Sequence, residues 1–430
     1  MTTSIKPQTD LGPKASVSMS LPPERVEKMF IAAVNRLHRG KLTIDFPSGN
    51  ACTLEGSCDE TDGAQFHGVI DLKSYRTVKR TLVSKSVGFA EGYMNDEWDS
   101  PDLTHLLELM ACNMDAMEAA IQDWGVVRAW NRIQHLFRSN SKRGSRRNIA
   151  YHYDLGNDFY KRWLDPSMTY SSALFDADHD DLESAQLNKY QSLAEQLQLK
   201  PHHRVLEIGC GWGGFAEFAA TNYGCQIVCL TLSQEQLAFA RKRINKANLG
   251  HLVELRLQDY RDVKGQFDRI VSIEMFEAVG EDYWTTYFDQ VRTCLKPGGK
   301  AGLQIISIAD ERFEGYRNET DFIQKYIFPG GMLPSPQKLY EHIDNAGLSK
   351  VGEHTFGMSY ARTLAIWRKE FLHHWDEIAK LGYTRKFKRM WEYYMCYCEA
   401  GFRRNTIDVG HYILQRDDDS VNSHTGKGHD

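Results

Sequence analysis

The segment RVLEIGCGWGGFAEFAATNY (204–223) constrains the fold more than any other part of the chain. A short apolar run, RVLEIG, reads as a buried strand. It stops in a cluster of glycines and restarts as GGFAEFAATNY with helical periodicity. A strand that feeds a helix through a glycine-rich turn is the first half of a parallel crossover, because parallel strands need a long connection. The pattern continues with QIVCLT (226–231), a helix through Gln236, Ala240 and Ile244, VELRL (253–257), FDRIVSIE (267–274), the turn KPGGK (296–300) and AGLQIISI. The expectation is an α/β, Rossmann-like, mostly parallel doubly wound sheet over residues 151–416.

The chain has 430 residues, so a second folded unit is expected. Residues 21–125 read as a smaller N-terminal α+β accessory domain. Its pieces are a helical pattern from Glu24 to Arg39, the strand-like KLTIDF, a turn at Pro47 to Asn50, and a helix start at Ser100 with Pro101 and Asp102 in the first turn. Residues 126–150 read as a basic linker: Arg128, Arg132, Arg138, Lys142, Arg143, Arg146 and Arg147 fall in an interval without acidic residues. Such a stretch is either an ordinary solvated linker or a patch for anionic lipid headgroups. Residues 1–20 and 417–430 read as disordered tails.

A net charge of −5 argues against a nucleic-acid partner. No apolar run approaches the roughly 20 residues that cross a bilayer. The polar N-terminal segment lacks the apolar core of a secretory signal, so a cytoplasmic protein is expected. Nine cysteines are scattered, and Cys396 and Cys398 have no second pair to make a zinc site; no metal is expected.

Gly209, Gly211 and Gly214 satisfy G-x-G-x-x-G, which raises a dinucleotide as ligand. Such sites carry an acidic residue at the end of the second strand to hold the ribose. Here that position reads Thr231-Leu232-Ser233. Glu207 stands two residues before Gly209, giving the E-x-G-x-G-x-G arrangement of S-adenosylmethionine methyltransferases, in which a carboxylate faces the cationic methionine end. The sulfonium cofactor is therefore expected rather than NAD.

Five separated blocks then agree with one family: YHYDLGNDFYKRWLDPSMTYSSALF (151–175), the glycine motif, TLSQEQ (231–236), IEMFEAVG (273–280) and FIQKYIFPGGMLPS (322–335). Together they resemble the cyclopropane fatty acid synthases and the related mycolic acid methyltransferases, over about the last two thirds of the chain. The resemblance implies that Tyr170 and Ser171 close over the cofactor and that Gly209, Gly211 and Gly213 cradle it. Thr231, Leu232, Ser233 and Gln236 would meet its ribose and adenosine side, with Asp259 and Tyr260 beside the adenine.

The implied reaction adds a methyl carbon to the double bond of an unsaturated phospholipid acyl chain. An alkene is a weak nucleophile, so a strong electrophile is required, and the resulting carbocation needs a dry pocket with aromatic faces. Tyr160, Phe175, Phe276, Tyr283, Tyr326 and Tyr360 are the candidates. Loss of a proton from the added methyl closes a cyclopropane ring. The resemblance implies that the base is a bound bicarbonate, held by Ser172, Glu277, Gln304, Tyr360 and the backbone of Ile306. Ser172 stands where cysteine is usual and Gln304 where histidine is usual, so an ending in a methyl- or methylene-branched chain stays open. Methylation of a small amine or phosphobase and a lipid-binding protein with a degenerate cofactor site are the competing readings. Cys398 is read as structural. Peripheral association with the inner face of the membrane and a homodimer are further expectations.

Overall fold

The glycine-rich turn joins β5 (Arg204–Ile208) to the helix Gly214–Tyr223, as the local pattern predicts. The computed structural model describes residues 22–35, 37–56, 66–114, 155–177 and 181–417. The basic stretch from Arg128 to Arg147 and both tails lie outside the described residues. β5 is buried on both faces because helices cover both, and it lies within a seven-stranded sheet. The order is β10-β11-β9-β8-β5-β6-β7, with β6 (Gln226–Thr231), β7 (Val253–Leu257), β8 (Phe267–Ile273), β9 (Leu295–Ile308), β10 (Leu348–Thr355) and β11 (Ile407–Arg416). β9, β8, β5, β6 and β7 run parallel, whereas β11 pairs antiparallel with both β9 and β10. The chain reverses at β5 between β8 and β6. A crevice opens there, at the carboxyl ends of the strands.

The N-terminal unit holds a four-stranded sheet, β2-β1-β3-β4. β1 (Lys41–Asp45) runs parallel to β3 (His67–Leu72); β2 (Ala51–Glu55) and β4 (Trp98–Asp99) complete it in antiparallel pairing. KLTIDF is thus a strand, and the turn at Pro47 to Asn50 is present, with the Gly49 N–H donating to Phe46 O. The first helix spans Pro23–Val34, shorter than its periodicity suggested. The helix expected from Ser100 instead starts at Leu103, because Asp102 adopts an extended backbone and caps it, its Oδ1 accepting from His105 N.

The two units share one apolar core. Phe30, Phe89 and Trp98 belong to the same buried cluster as Phe159, Trp163, Trp367 and Trp391. The joint is the helix Arg385–Arg403 against the helices Arg76–Met94 and Leu103–Cys112. Arg389 is its polar centre: the guanidinium donates to Trp98 O (2.8 Å) and Tyr93 O, and stacks on the Tyr93 ring at 3.6 Å. Tyr93 Oη donates to Glu392 at 3.0 Å and Thr104 to Glu399 at 3.3 Å.

Candidate active site

Two cavities meet at the carboxyl end of the parallel strands. The smaller, about 150 Å³, lies against the glycine turn. Tyr170, Ser171, Glu207, Gly209, Gly211, Thr231, Leu232, Gln236 and Tyr260 line it, as the sequence implied, together with Cys210, Trp212 and Gln258, which the sequence analysis did not single out. Gly209 and Gly211 both have positive φ (85° and 51°). A Cβ on Gly209 would stand 2.7 Å from Met275 Cγ, and one on Gly211 would meet no protein atom within 4 Å. Residue 211 therefore leaves the turn open to a ligand.

Three expected cofactor residues do not reach this cavity wall. The Gly213 backbone, at φ 83°, precedes the helix Gly214–Tyr223 as its cap position. Ser233 caps the helix Gln234–Lys246, its Oγ accepting from Gln236 N. Asp259 is buried and turned toward Arg261, whose Nε and Nη2 donate to it at 2.8 and 2.7 Å. All of them shape the turns that carry the lining residues. Thr231 and Gln236 are joined by a 3.0 Å hydrogen bond from the Thr231 hydroxyl.

Glu207 is buried, and among the described residues the Cys229 thiol alone donates to it, at 3.3 Å from Oε2. Burial pushes its carboxyl up to about 7. A cationic group brought into the cavity would restore its charge.

The larger cavity, about 630 Å³, is mainly apolar and built from both units. Phe30, Val34, Phe89, Leu107 and Met110 come from the N-terminal unit; Ile306, Leu364, Tyr393, Tyr394, Tyr397 and Phe402 come from the second. Of the aromatics proposed to face a cation, only Tyr360 lines it. Tyr160 packs with Phe159 and Trp163, Phe276 with Trp284 and Tyr287, and Phe175 lies under the Arg362 guanidinium. Tyr283 stacks with Arg261, and Tyr326 donates to Glu91. The helix Arg385–Arg403 gives the cavity Tyr393, Tyr394, Tyr397 and Phe402; its YYMCYC run has helical spacing but lies outside the five family blocks. Cys398 lines the cavity too, and burial pushes its thiol above the ordinary range, so it is no nucleophile.

Tyr170, Glu274 and Ala278 line both cavities. Glu274 was missed in the sequence, although it stands in the same IEMFEAVG block as Glu277. It follows the last residue of β8 and has φ +47°, a left-handed conformation uncommon for a non-glycine residue. Its Oε1 accepts from Ser172 N (2.7 Å) and Gln304 Nε2 (2.7 Å), and its Oε2 from Tyr360 Oη (2.7 Å). Glu277 Oε1 accepts from Ile306 N at 2.6 Å, and its Oε2 has no hydrogen-bond partner among the described residues. The Ser172 hydroxyl itself is turned to Ala173 O. Ser172, Gln304, Tyr360, Ile306 and Glu277 are thus brought together as expected. Their donors converge on glutamate carboxylates of the chain.

A buried cation stands behind this cluster. Lys189, on the helix Leu182–Gln196, donates to Ser171 Oγ (2.7 Å) and Gln186 Oε1 (2.6 Å). Burial lowers its ammonium to about 7 against the opposing pull of Glu274 and Asp165. Burial raises Glu274, while Lys189 and its donors favour the anion. Burial and the neighbouring Glu274 raise Glu277 to about 8, so at neutral pH it is mainly protonated.

A family model described as mycolic acid cyclopropane synthetase matches residues 140–412. The chain belongs to the mycolic acid cyclopropane synthetase family. Tuberculostearic acid methyltransferase UfaA1 of Mycobacterium tuberculosis is 40% identical to it over 343 residues, covering 77% of this chain and 79% of the relative. The cyclopropane-fatty-acyl-phospholipid synthase of Escherichia coli strain K12 is 39% identical over 349 residues, covering 81% and 87%. Among solved structures, mycolic acid cyclopropane synthase CmaA1 complexed with SAH and CTAB aligns with a TM-score of 0.59 at 29% identity, over 63% of this chain and 98% of that one. The sheet is that of the class I S-adenosylmethionine methyltransferases, and this cyclopropane synthetase family member is an S-adenosylmethionine-dependent C-methyltransferase. The open position at Gly211 and the under-partnered Glu207 fit that cofactor.

Proposed function

We propose that this enzyme transfers the methyl carbon of S-adenosylmethionine to the double bond of an unsaturated phospholipid acyl chain and closes a cyclopropane ring. The observation that carries the reading is the meeting of a long apolar cavity with the glycine-turn cavity at Tyr170, Glu274 and Ala278. The sulfonium supplies an electrophilic methyl carbon. Glu207, Gly209 and Gly211 would hold the cofactor from the glycine-turn side. Tyr170, whose hydroxyl lies 2.9 Å from Tyr394 Oη, separates it from the acyl chain except at the junction. Tyr360, Tyr394 and Phe402 present aromatic faces to the developing cation, and the apolar wall excludes water that would trap it.

The bicarbonate implied by the resemblance does not fit the donors as they stand. Ser172 N, Gln304 Nε2 and Tyr360 Oη are engaged by Glu274, and Ile306 N by Glu277. No step is therefore assigned to that ion. A second ending, a methyl-branched chain, is favoured by the similarity to a tuberculostearic acid methyltransferase. An amine or phosphobase acceptor would leave most of the apolar cavity unfilled. No helix among the described residues is long and apolar enough to cross a membrane, so the enzyme would meet its lipid at the bilayer surface, with the basic stretch before residue 148 supplying contacts to anionic headgroups.

The test is mass spectrometry and NMR of lipids recovered after incubation with methyl-labelled cofactor and unsaturated phospholipid vesicles. Label in a cyclopropane methylene supports the proposal; label in a methyl group supports the branched ending. Absence of label from lipid with transfer to a soluble amine would overturn both.

A further inference from the structure

We infer that Glu274 is the base that removes the proton after methyl transfer, so that a carboxylate of the chain does the work for which a free anion was expected, and turnover needs no bicarbonate. The inference rests on the proposed lipid reaction and names its catalytic residue.

Position supplies the first argument. Among the described residues Glu274 is the only carboxyl group that lines both cavities, and a proton lost from the newly added methyl is released at their junction. Occupancy supplies the second. Backbone and amide N–H groups can only donate, so Ser172 N and Gln304 Nε2 require an acceptor, and Glu274 Oε1 meets both. A bicarbonate would have to displace a covalently tethered carboxylate that already makes these bonds.

The orientation of Gln304 is itself fixed from behind. Gln196 Nε2 lies 3.2 Å from His411 Nδ1, and His411 Nε2 lies 3.1 Å from Gln304 Oε1. With the Gln196 amide donating to Nδ1, the imidazole proton sits on Nε2 and is donated to Gln304 Oε1. The amide nitrogen is then directed at Glu274. Burial keeps His411 neutral, its imidazolium pushed down to about 3. Glu277 is poorly placed for the same task, since it lines the larger cavity alone and does not reach the glycine-turn cavity.

The step balances without another reactant. A C–H bond of the added methyl breaks, and its electron pair forms the bond to the cationic carbon that closes the ring. The proton passes to a Glu274 carboxylate oxygen and is returned to water on product departure.

The experiment measures turnover of the full chain on unsaturated phospholipid vesicles in carbon dioxide-free buffer, with and without added bicarbonate. Unchanged wild-type turnover is expected. Glu274→Gln should lower kcat by about the 10²–10⁴-fold typical of a lost base, with S-adenosylhomocysteine affinity retained. Glu274→Gly relieves the left-handed backbone and frees Ser172 N, Gln304 Nε2 and Tyr360 Oη. Its turnover should be low in stripped buffer and should rise with bicarbonate. Wild-type activity that collapses without bicarbonate and returns with it would overturn the inference, as would wild-type turnover by Glu274→Gln. A wild-type enzyme that labels no lipid under any condition would instead defeat the proposed function.

Discussion

The His411 imidazole lies 3.1 Å from Gln304 Oε1 while the other end of the same amide donates to Glu274, so a residue of the antiparallel strand β11 fixes a side chain at the junction of the two cavities. His411→Phe keeps the ring but leaves Gln196 and Gln304 without their partner. A loss of about 1–3 kcal/mol in stability is expected from the unsatisfied amides. The kcat should fall while S-adenosylhomocysteine affinity holds, as read by single-turnover kinetics beside calorimetry. Equal losses in both would show that His411 merely supports the sheet.

Glu207 is expected to link cofactor binding to pH. Its carboxyl sits near 7 in the free protein because burial disfavours the charge, and a bound ammonium would favour ionisation. Affinity for S-adenosylhomocysteine should therefore weaken as pH falls through about 7, with proton release on binding at pH values below about 7 that vanishes well above it. Calorimetry in buffers of different ionisation enthalpy measures that release. Glu207→Gln should bind more weakly and lose the proton release; a variant that binds like the wild type would remove Glu207 from the site.

Glu277 should cost stability at alkaline pH. A carboxyl raised to about 8 binds its proton more tightly in the folded chain than in the unfolded one. Folding stability is accordingly fullest below the ordinary carboxyl range and declines as pH rises toward about 8. Glu277→Gln removes that decline, and denaturant melts at pH 9 should show it more stable than wild type by on the order of a few kcal/mol. Its turnover near neutral pH should change little, because the amide oxygen still accepts from Ile306 N in place of a carboxyl that is mainly neutral there. Wild type and variant with the same pH dependence of stability would disprove the assignment.

Arg389 should hold the two units together. Its guanidinium is almost fully buried, with Asp96 and Asp99 at 3.3 and 3.4 Å and two main-chain carbonyls as acceptors. Arg389→Met removes the only side chain serving all of these groups at once. A destabilisation of about 3–5 kcal/mol is expected in equilibrium unfolding. Should the melt stay unchanged, the apolar core alone docks the units.

Leu107 should limit acyl length. It lies on the helix Leu103–Cys112 and lines the large cavity far along the chain from the glycine turn. Leu107→Trp fills part of that space, so turnover on longer unsaturated chains should drop more than on shorter ones, with cofactor affinity unchanged. Uniform loss across chain lengths would place Leu107 outside the acyl path.

The parallel sheet and its glycine turn were legible in the sequence because both are local: apolar runs of strand length, glycines and helical periods follow one another within a few residues. Most of the glycine-turn cavity was legible for the same reason. Glu274 was not. Its role depends on a left-handed backbone at the end of β8 and on donors from the Ser172 loop, β9 and the helix Gly357–His373, which only tertiary packing brings together. The aromatics failed similarly. Tyr160 and Phe276 are as aromatic as Tyr394, but which ring faces a cavity is decided by neighbours distant in the chain. Length and the basic stretch suggested two units joined by a linker, and among the described residues the buried cluster is continuous across Trp98 and Trp391.

That continuity has a bearing on how such an enzyme can change. Phe30, Val34, Phe89 and Leu107 bound the larger cavity from the first quarter of the polypeptide, while Glu274, Gln304 and Tyr360 stand at the junction from the remainder. On the proposed reading, one wall of the lipid space is thus encoded apart from the junction. Substitutions in the first quarter would retune which lipids are accepted while the fate of the cation is left alone, whereas those in the remainder, which supplies the other wall as well as the junction, would touch both.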